Sequence, residues 1–316
     1  MAKPRRSREA DVEEAVARAK AATGAAELKK TLAHASARVV LAAASAVEEQ
    51  QLSACGDALV DAFVRFAKGP APDPQCRAKA ALLRAIMALE ATREREAYGL
   101  GRTCVQLEAQ WGPPVDTAAE VRGLSVLGLV RSRHPDGAVF AAEALADPEV
   151  RTRLAAAHAL AEAQPDAALP ALRLKLAVGD AEAEVFGAAV RAFVELSTGA
   201  GLELARELLS TRGEAEQEAV LLALGESRKP DALAVLREYT GRATDVAFLA
   251  MALLRHEPAT EHLLGVIESG TERHAGQAVK ALANFRHDPA LCVRVRKAAE
   301  GRSRELRAAV EKALST

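Results

Sequence analysis

Residues Val139 to Leu172 read VFAAEALADPEVRTRLAAAHALAEAQPDAALPAL, and this stretch decides the fold class. One apolar segment ends at Asp147-Pro148, a second begins at Glu149-Val150, and Pro165-Asp166 opens a third. Proline at a first helical turn costs nothing, because the N–H it lacks has no intrahelical partner there. The apolar residues between these marks recur at helical spacing, which predicts amphipathic helices of about a dozen residues joined by tight turns.

Working outward, the Ala159-Leu160 pair near the end of the second helix returns at Ala192-Phe193, Ala223-Leu224, Ala252-Leu253, Ala281-Leu282 and Ala313-Leu314. The steps are 33, 31, 29, 29 and 32 residues. Toward the N-terminus it returns at Val126-Leu127, Ala88-Leu89 and Ala46-Val47, in steps of 33, 38 and 42. A period near 30 is the mark of stacked supersecondary units, none of which buries its apolar face without neighbours. Turn signals fall at two fixed places in the later units. The inner one is Gly179-Asp180, Arg212-Gly213, Gly241, Gly270 and Gly301, where glycine is expected to supply a left-handed C′ residue. The outer one is Pro135-Asp136, Pro165-Asp166, Gly199 with Gly201, Pro230-Asp231, Pro258 and Asp288-Pro289. The predicted fold is all-α, a right-handed α-α superhelix (solenoid) of about nine helix-turn-helix repeats, irregular to about residue 134 and regular over 135–316. Gly69 to Pro74 and Trp111-Gly112-Pro113-Pro114 read as expanded turns inside repeats, and residues 1–9 as a disordered basic tail. The polar Arg302, Arg304, Glu305, Arg307, Glu311 and Lys312 suit a C-terminal cap.

Composition agrees. Alanine supplies 73 of 316 residues and aromatics only 3%, a mixture that favours helix over strand. With 42 basic and 43 acidic side chains the formal charge is −1, so no global field recruits nucleic acid or an anionic membrane. The apolar run Val39 to Val47 is far short of a bilayer span. Lys3, Arg5, Arg6 and Arg8 run straight into Glu9, Asp11, Glu13 and Glu14; no apolar h-region follows, so a secretory signal is not expected and a cytoplasmic protein is. Cys55, Cys76, Cys104 and Cys292 are widely spaced with no CxxC, as reduced thiols in helices would be.

The run Asp147-Pro148-Glu149-Val150-Arg151, followed by Ala155-Ala156 and Ala159-Leu160, resembles the second-helix signature of HEAT repeats. The short period is most similar to the bacterial HEAT-like variety first recognised in phycobilisome chromophore lyases. Cys76-Arg77-Ala78, Val121-Arg122 and Leu306-Arg307-Ala308-Ala309 keep fragments of the motif, while Phe186 and Val246 replace its arginine. The resemblance implies a scaffold or adaptor without catalytic residues or cofactor, binding a protein partner through second helices that line a concave surface. Exposed polar positions there give the expected binding residues: Arg151, Arg153, His158, Glu184, Arg191, Glu216, Arg242, Asp245, Arg273, Gln277 and Lys280.

Two other chemistries were weighed on their residues. Deoxyhypusine hydroxylases, which also resemble HEAT repeats, hold iron through repeated His-Glu pairs. This chain has one such pair, His256-Glu257, with Glu261-His262 nearby. The two histidines are six residues apart, a spacing no helix brings onto one face, so no metal site is expected. HEAT-like DNA glycosylases handle bases with aromatic and cationic side chains. Here Trp111, Tyr98 and Tyr239 fall in different units. The stretch Arg286 to Lys312 has eight Lys/Arg against four Asp/Glu, while Asp180 to Glu226 has ten acids against Arg191, Arg206 and Arg212. A nucleic-acid-binding protein, or an enzyme like the chromophore lyases, is the alternative expectation; an uneven charge distribution of this kind is also what ion-paired helix surfaces produce.

Overall fold

The computed structural model describes residues 8–69, 71–239 and 244–315. Within them are nineteen α-helices and one β-hairpin. The predicted tail lies, up to residue 7, outside the described residues, as does Arg242; helix α1 begins at Arg8 (Arg8–Ala21). The chain divides into two compact units, residues 1–168 and 169–316.

In the first unit, helices α2 (Ala25–Leu32), α4 (Gly56–Lys68), α6 (Glu94–Gly101) and α8 (Gly137–Ala144) alternate with α3 (Ala37–Glu49), α5 (Arg77–Ala88), α7 (Ala119–Arg131) and α9 (Val150–Ala161). Each even helix packs against the odd helix that follows it, and α1, α3, α5, α7 and α9 stack successively into one row. Helix α10 (Pro165–Val178) carries the chain across the division. The second unit repeats the plan with α11 (Ala183–Leu196), α13 (Glu214–Glu226), α15 (Thr244–Leu253), α17 (Glu272–Ala283) and α19 (Arg304–Ser315) in the odd row. Its even helices are α12 (Thr198–Thr211), α14 (Ala232–Glu238), α16 (Glu257–Ser269) and α18 (Pro289–Ala298). Each unit is therefore an all-α solenoid of antiparallel helix pairs. After α1, the described helices make nine successive pairs in chain order.

Five of the nine recurring apolar pairs, Ala46-Val47, Ala159-Leu160, Ala192-Phe193, Ala223-Leu224 and Ala281-Leu282, are buried, whereas Leu127, Leu253 and the Ala313-Leu314 pair are only half-buried and Ala88 is exposed. A column of small residues lets successive odd helices approach closely. A Cβ on Gly123 would lie 2.7 Å from that of Ala155, and one on Gly187 would lie 3.3 Å from the Ala219 carbonyl. Arginines then tie each repeat to the next: Arg93 to Asp61, Arg131 to Glu162, Arg206 to Glu238 and Arg294 to Glu257 are partners 31 to 37 residues apart.

Two local expectations are corrected. Of the inner-turn glycines that are described, only Gly179 is left-handed, at φ 87°. Gly213 instead starts α13 at φ −71°, and Gly270 follows α16 in extended backbone, where a Cβ would lie 2.5 Å from the Val266 carbonyl. Five of the seven left-handed non-glycine residues among those described close odd helices instead, Gln51, Glu90, Arg133, Arg228 and Arg255 at φ 48° to 53°, and the other two, Gln75 and Cys76, lead into α5. The second correction is the Trp111 segment, which is no helix-helix turn. It is an antiparallel hairpin of β1 (Leu107–Gln110) and β2 (Gly112–Asp116) inserted between α6 and α7.

Candidate functional site

The hairpin is short of the size at which two strands hold together unaided, so its base must be fixed by other contacts. Asp73 begins the chain of contacts. Its buried carboxylate accepts from the Ala78 and Lys79 N–H groups (2.9 and 3.0 Å) at the start of α5, where orphan donors favour an anion. Lys79 Nζ, equally buried, donates to Gln106 Oε1 (2.5 Å), and Gln106 Nε2 donates to the Asp73 carbonyl and to Glu108 Oε1. Glu108 Oε1 also accepts from the Gln75 N–H and from Thr117 Oγ1. The Thr117 N–H closes the hairpin base on the Gln106 carbonyl at 2.9 Å.

A second group holds the far strand. Arg122 of α7 donates to Asp116 Oδ2 (2.6 Å) and, through Nε and Nη2, to both oxygens of Asp147 (2.7 and 2.9 Å). The three side chains are 7, 12 and 12% exposed. The bonds from the Gln75 N–H, Gln106 and Thr117 hold the Glu108 carboxyl below the usual carboxylate range. Burial pushes the Asp116 carboxyl up, but bonds from the Ala118 and Gln106 N–H groups and from Arg122 outweigh it and leave the group below its ordinary value. Both stay ionised at neutral pH, and burial of Arg122 is outweighed by its two carboxylates, which keep it charged.

On this braced base the tip is bare. Trp111 is at 105% relative exposure, and Leu107, Val105 and Val115 are also exposed apolar side chains. Gly112, at φ 126°, takes a conformation that side-chain-bearing residues avoid and so lets the strand reverse directly after the indole. Pro113 and Pro114 deprive β2 of two N–H donors, which blunts that edge against pairing with another strand. Below the tip, Glu108, Ala109, Gln110 and Val115 face Glu120, Glu149 and Arg151 across a cleft of about 480 Å³. A second cleft of about 330 Å³ shares Glu120 and Arg151 with it and continues past Leu124, Leu127 and Ala155 to His158.

Of the expected binding residues, Arg151 and His158 are thus brought together beside the hairpin. Arg153 is turned back on the Asp147 and Pro148 carbonyls. In the second unit Glu184 and Asp245 are exposed on α11 and α15, and Arg273 and Lys280 on α17. Gln277, on α17 as well, keeps its Oε1 buried without a partner. Arg191 pairs with Glu195 and Glu226, and Glu216 with Arg212. The acidic and basic stretches of the sequence are in good part neutralised by such pairs: Lys175 with Asp180, Arg173 with Glu207, Arg296 with Glu311 and Arg302 with Glu272. Sequence reasoning missed the hairpin and its brace, although Trp111 as the lone tryptophan, next to Gly-Pro-Pro, was a signal.

The other chemistries find different surroundings. Glu257 and Glu261 are both held by Arg294 (2.6 and 2.5 Å), and His256 caps α16 with Nδ1 buried and unpartnered. Among the described residues no three His, Cys, Asp or Glu side chains gather as a metal-holding group, and no helix is long and apolar enough to cross a membrane. Tyr98 is wholly buried against Gly128, and the Tyr239 hydroxyl donates to the Leu209 carbonyl (3.1 Å).

The fold defines an all-α helical-repeat protein. No family model matches the chain, and no curated protein matches it. Among solved structures, a crystallised engineered protein is 16% identical, covers 99% of this chain and 96% of its own, and has a TM-score of 0.43. Human deoxyhypusine hydroxylase in complex with glycerol is 19% identical, with 86% of this chain and 97% of that one covered and a TM-score of 0.32.

Proposed function

We propose that this chain is a non-catalytic scaffold, a short-period HEAT-like protein of the cytoplasm that binds a protein partner, and that the hairpin side of its first unit is the binding surface. One observation carries the reading: a fully exposed tryptophan stands on a hairpin whose base is fixed by buried ion pairs. Exposing an indole to water forgoes the stabilisation its burial brings, and tryptophan is the side chain most enriched among residues that dominate binding energy. A rigid support lowers the ordering cost on association. The nucleic-acid alternative has less beneath it, since Tyr98 and Tyr239 are engaged within the fold and Arg294, Arg296 and Arg302 are ion-paired.

The test is site-specific photo-crosslinking in lysate of the source cells, with a benzophenone amino acid at position 111 and, as control, at the exposed Val293 of α18. A discrete protein adduct at 111, absent at 293 and surviving nuclease, is the expected result. Identical adducts at both positions, or loss of the adduct with nuclease, would remove the scaffold reading.

A further inference from the structure

Resting on that reading, the geometry points to the chemistry of the partner: an extended peptide segment carrying an arginine or lysine beside an apolar residue. We infer that the cation enters the cleft between Glu108 and Glu149 while the apolar neighbour covers Trp111. The ledger of charge around the cleft is uneven. Of the charged side chains that line it, Glu108, Asp116, Glu120 and Glu149 stand against Arg151, while Arg84 and Arg122 reach Glu120 and Asp116 from outside the lining. Glu108 and Glu149 then remain against Arg151, one negative charge in excess, and the ion pairs show where it lies. Glu120 is paired with Arg84, and Asp116 and Asp147 share Arg122. Glu108 and Glu149 line the cleft and neither makes a salt bridge among the described residues. The hydrogen bonds that hold Glu108 ionised come from neutral donors and Lys79 adds a weaker charge attraction, so its charge is fixed in place without an ion-pair partner among the described residues.

Such a site is complementary to a cation, while the exposed indole offers its apolar neighbour a surface to cover. An acidic or phosphorylated segment meets like charge there. The cleft volume of about 480 Å³ is in the range that admits one or two side chains of a peptide. A folded surface would have to avoid the hairpin that stands over the cleft, whereas an extended segment passes beneath the tip.

Because Trp111 is the chain's single tryptophan, its fluorescence reports on this site alone. The experiment pans a random dodecapeptide display library, on the full chain and in parallel on Trp111→Ala, and then titrates synthetic tryptophan-free versions of the enriched peptides. The expected result is enrichment, on wild type only, of peptides with net positive charge and a basic residue next to an apolar one. Their binding shifts Trp111 emission to the blue, weakens about tenfold in Glu149→Lys, and weakens as salt is raised. Glu149 makes no side-chain cap to α9, so this variant leaves the fold intact, which far-UV circular dichroism checks. Neutral or acidic peptides that depend on Trp111, or an affinity unchanged in Glu149→Lys, would overturn the inference and leave the scaffold reading standing. No Trp111-dependent peptide at all overturns both. A blue shift on phosphatidylcholine vesicles in place of peptides overturns the inference in favour of a membrane contact.

Discussion

At the scale of single residues, backbone strain recurs at the positions that close the odd helices. Glu90 follows α5 at φ 48°, is exposed, and stands near the like-charged Glu94. A left-handed conformation costs a side-chain-bearing residue about 1 kcal/mol relative to glycine. Glu90→Gly is therefore expected to raise stability by about 1 kcal/mol, seen as a higher urea midpoint with an unchanged slope. Arg122 is the opposite case. Its removal strands Asp116 and Asp147 as buried, uncompensated carboxylates, so Arg122→Ala should cost about 3–5 kcal/mol. The triple variant Arg122→Met, Asp116→Asn, Asp147→Asn should recover most of that loss; if it is no better than Arg122→Ala in the same denaturation series, the cost is one of packing. Glycine's freedom made it the natural expectation for left-handed turns, yet Gln51, Glu90 and Arg133 take them. There the Leu52, Ala91 and His134 N–H groups bond back to Val47, Ile86 and Leu129, and the closed turn carries the strain.

At the scale of elements, close helix contacts and the hairpin each have their own sensitivity. A Cβ on Gly225 of α13 would press on the backbone of Ala250 in α15, which no side-chain rotation relieves. Gly225→Ala is expected to destabilise by about 1–3 kcal/mol or more, read by thermal unfolding. The hairpin's dependence on acid follows from its anchors. Glu108 and Asp116 titrate below their ordinary values of 4.5 and 3.8, so the stabilisation they give is complete above those values and is lost as pH falls below them. Between pH 7 and pH 3 the anisotropy of Trp111 emission should fall before the helical signal at 222 nm does; anisotropy that follows the helices would show that the carboxylates do not hold the hairpin. The helices were legible because each carries its period within a dozen or so residues. The strands LEAQ and GPPVD alternate poorly and contain two prolines, and what fixes them are bonds from Glu108 to Gln75 and from Gln106 to Asp73, each 33 residues distant, and from Asp116 to an Arg122 that Asp147 holds in turn. Such bonds leave no periodic trace.

At the scale of the molecule, stacked repeats share their stability with neighbours, and the ends have fewer. Helix α19 buries only Leu306 and Val310, whereas α7 buries nine residues. Amide exchange should accordingly release α19 well before α7, a ranking that mass-resolved hydrogen exchange reads directly. The repeat number and the helical class were open to sequence reading through recurrence of Ala-Leu pairs. Which polar positions stay unpaired was not, because polar residues spaced one repeat apart, such as Arg206 and Glu238, turn out to bind one another.

The hairpin interrupts one repeat without disturbing the next: α6 still packs on α7, and α7 on α9. Gln106, Asp116 and Thr117 grip its base, while residues 109–114 touch little else. Grip and tip are thus separable, and the turn between α6 and α7 is a socket. Other sequences can be grafted between Glu108 and Val115, so that the side chains displayed there are exchanged while the helical frame is left as it stands.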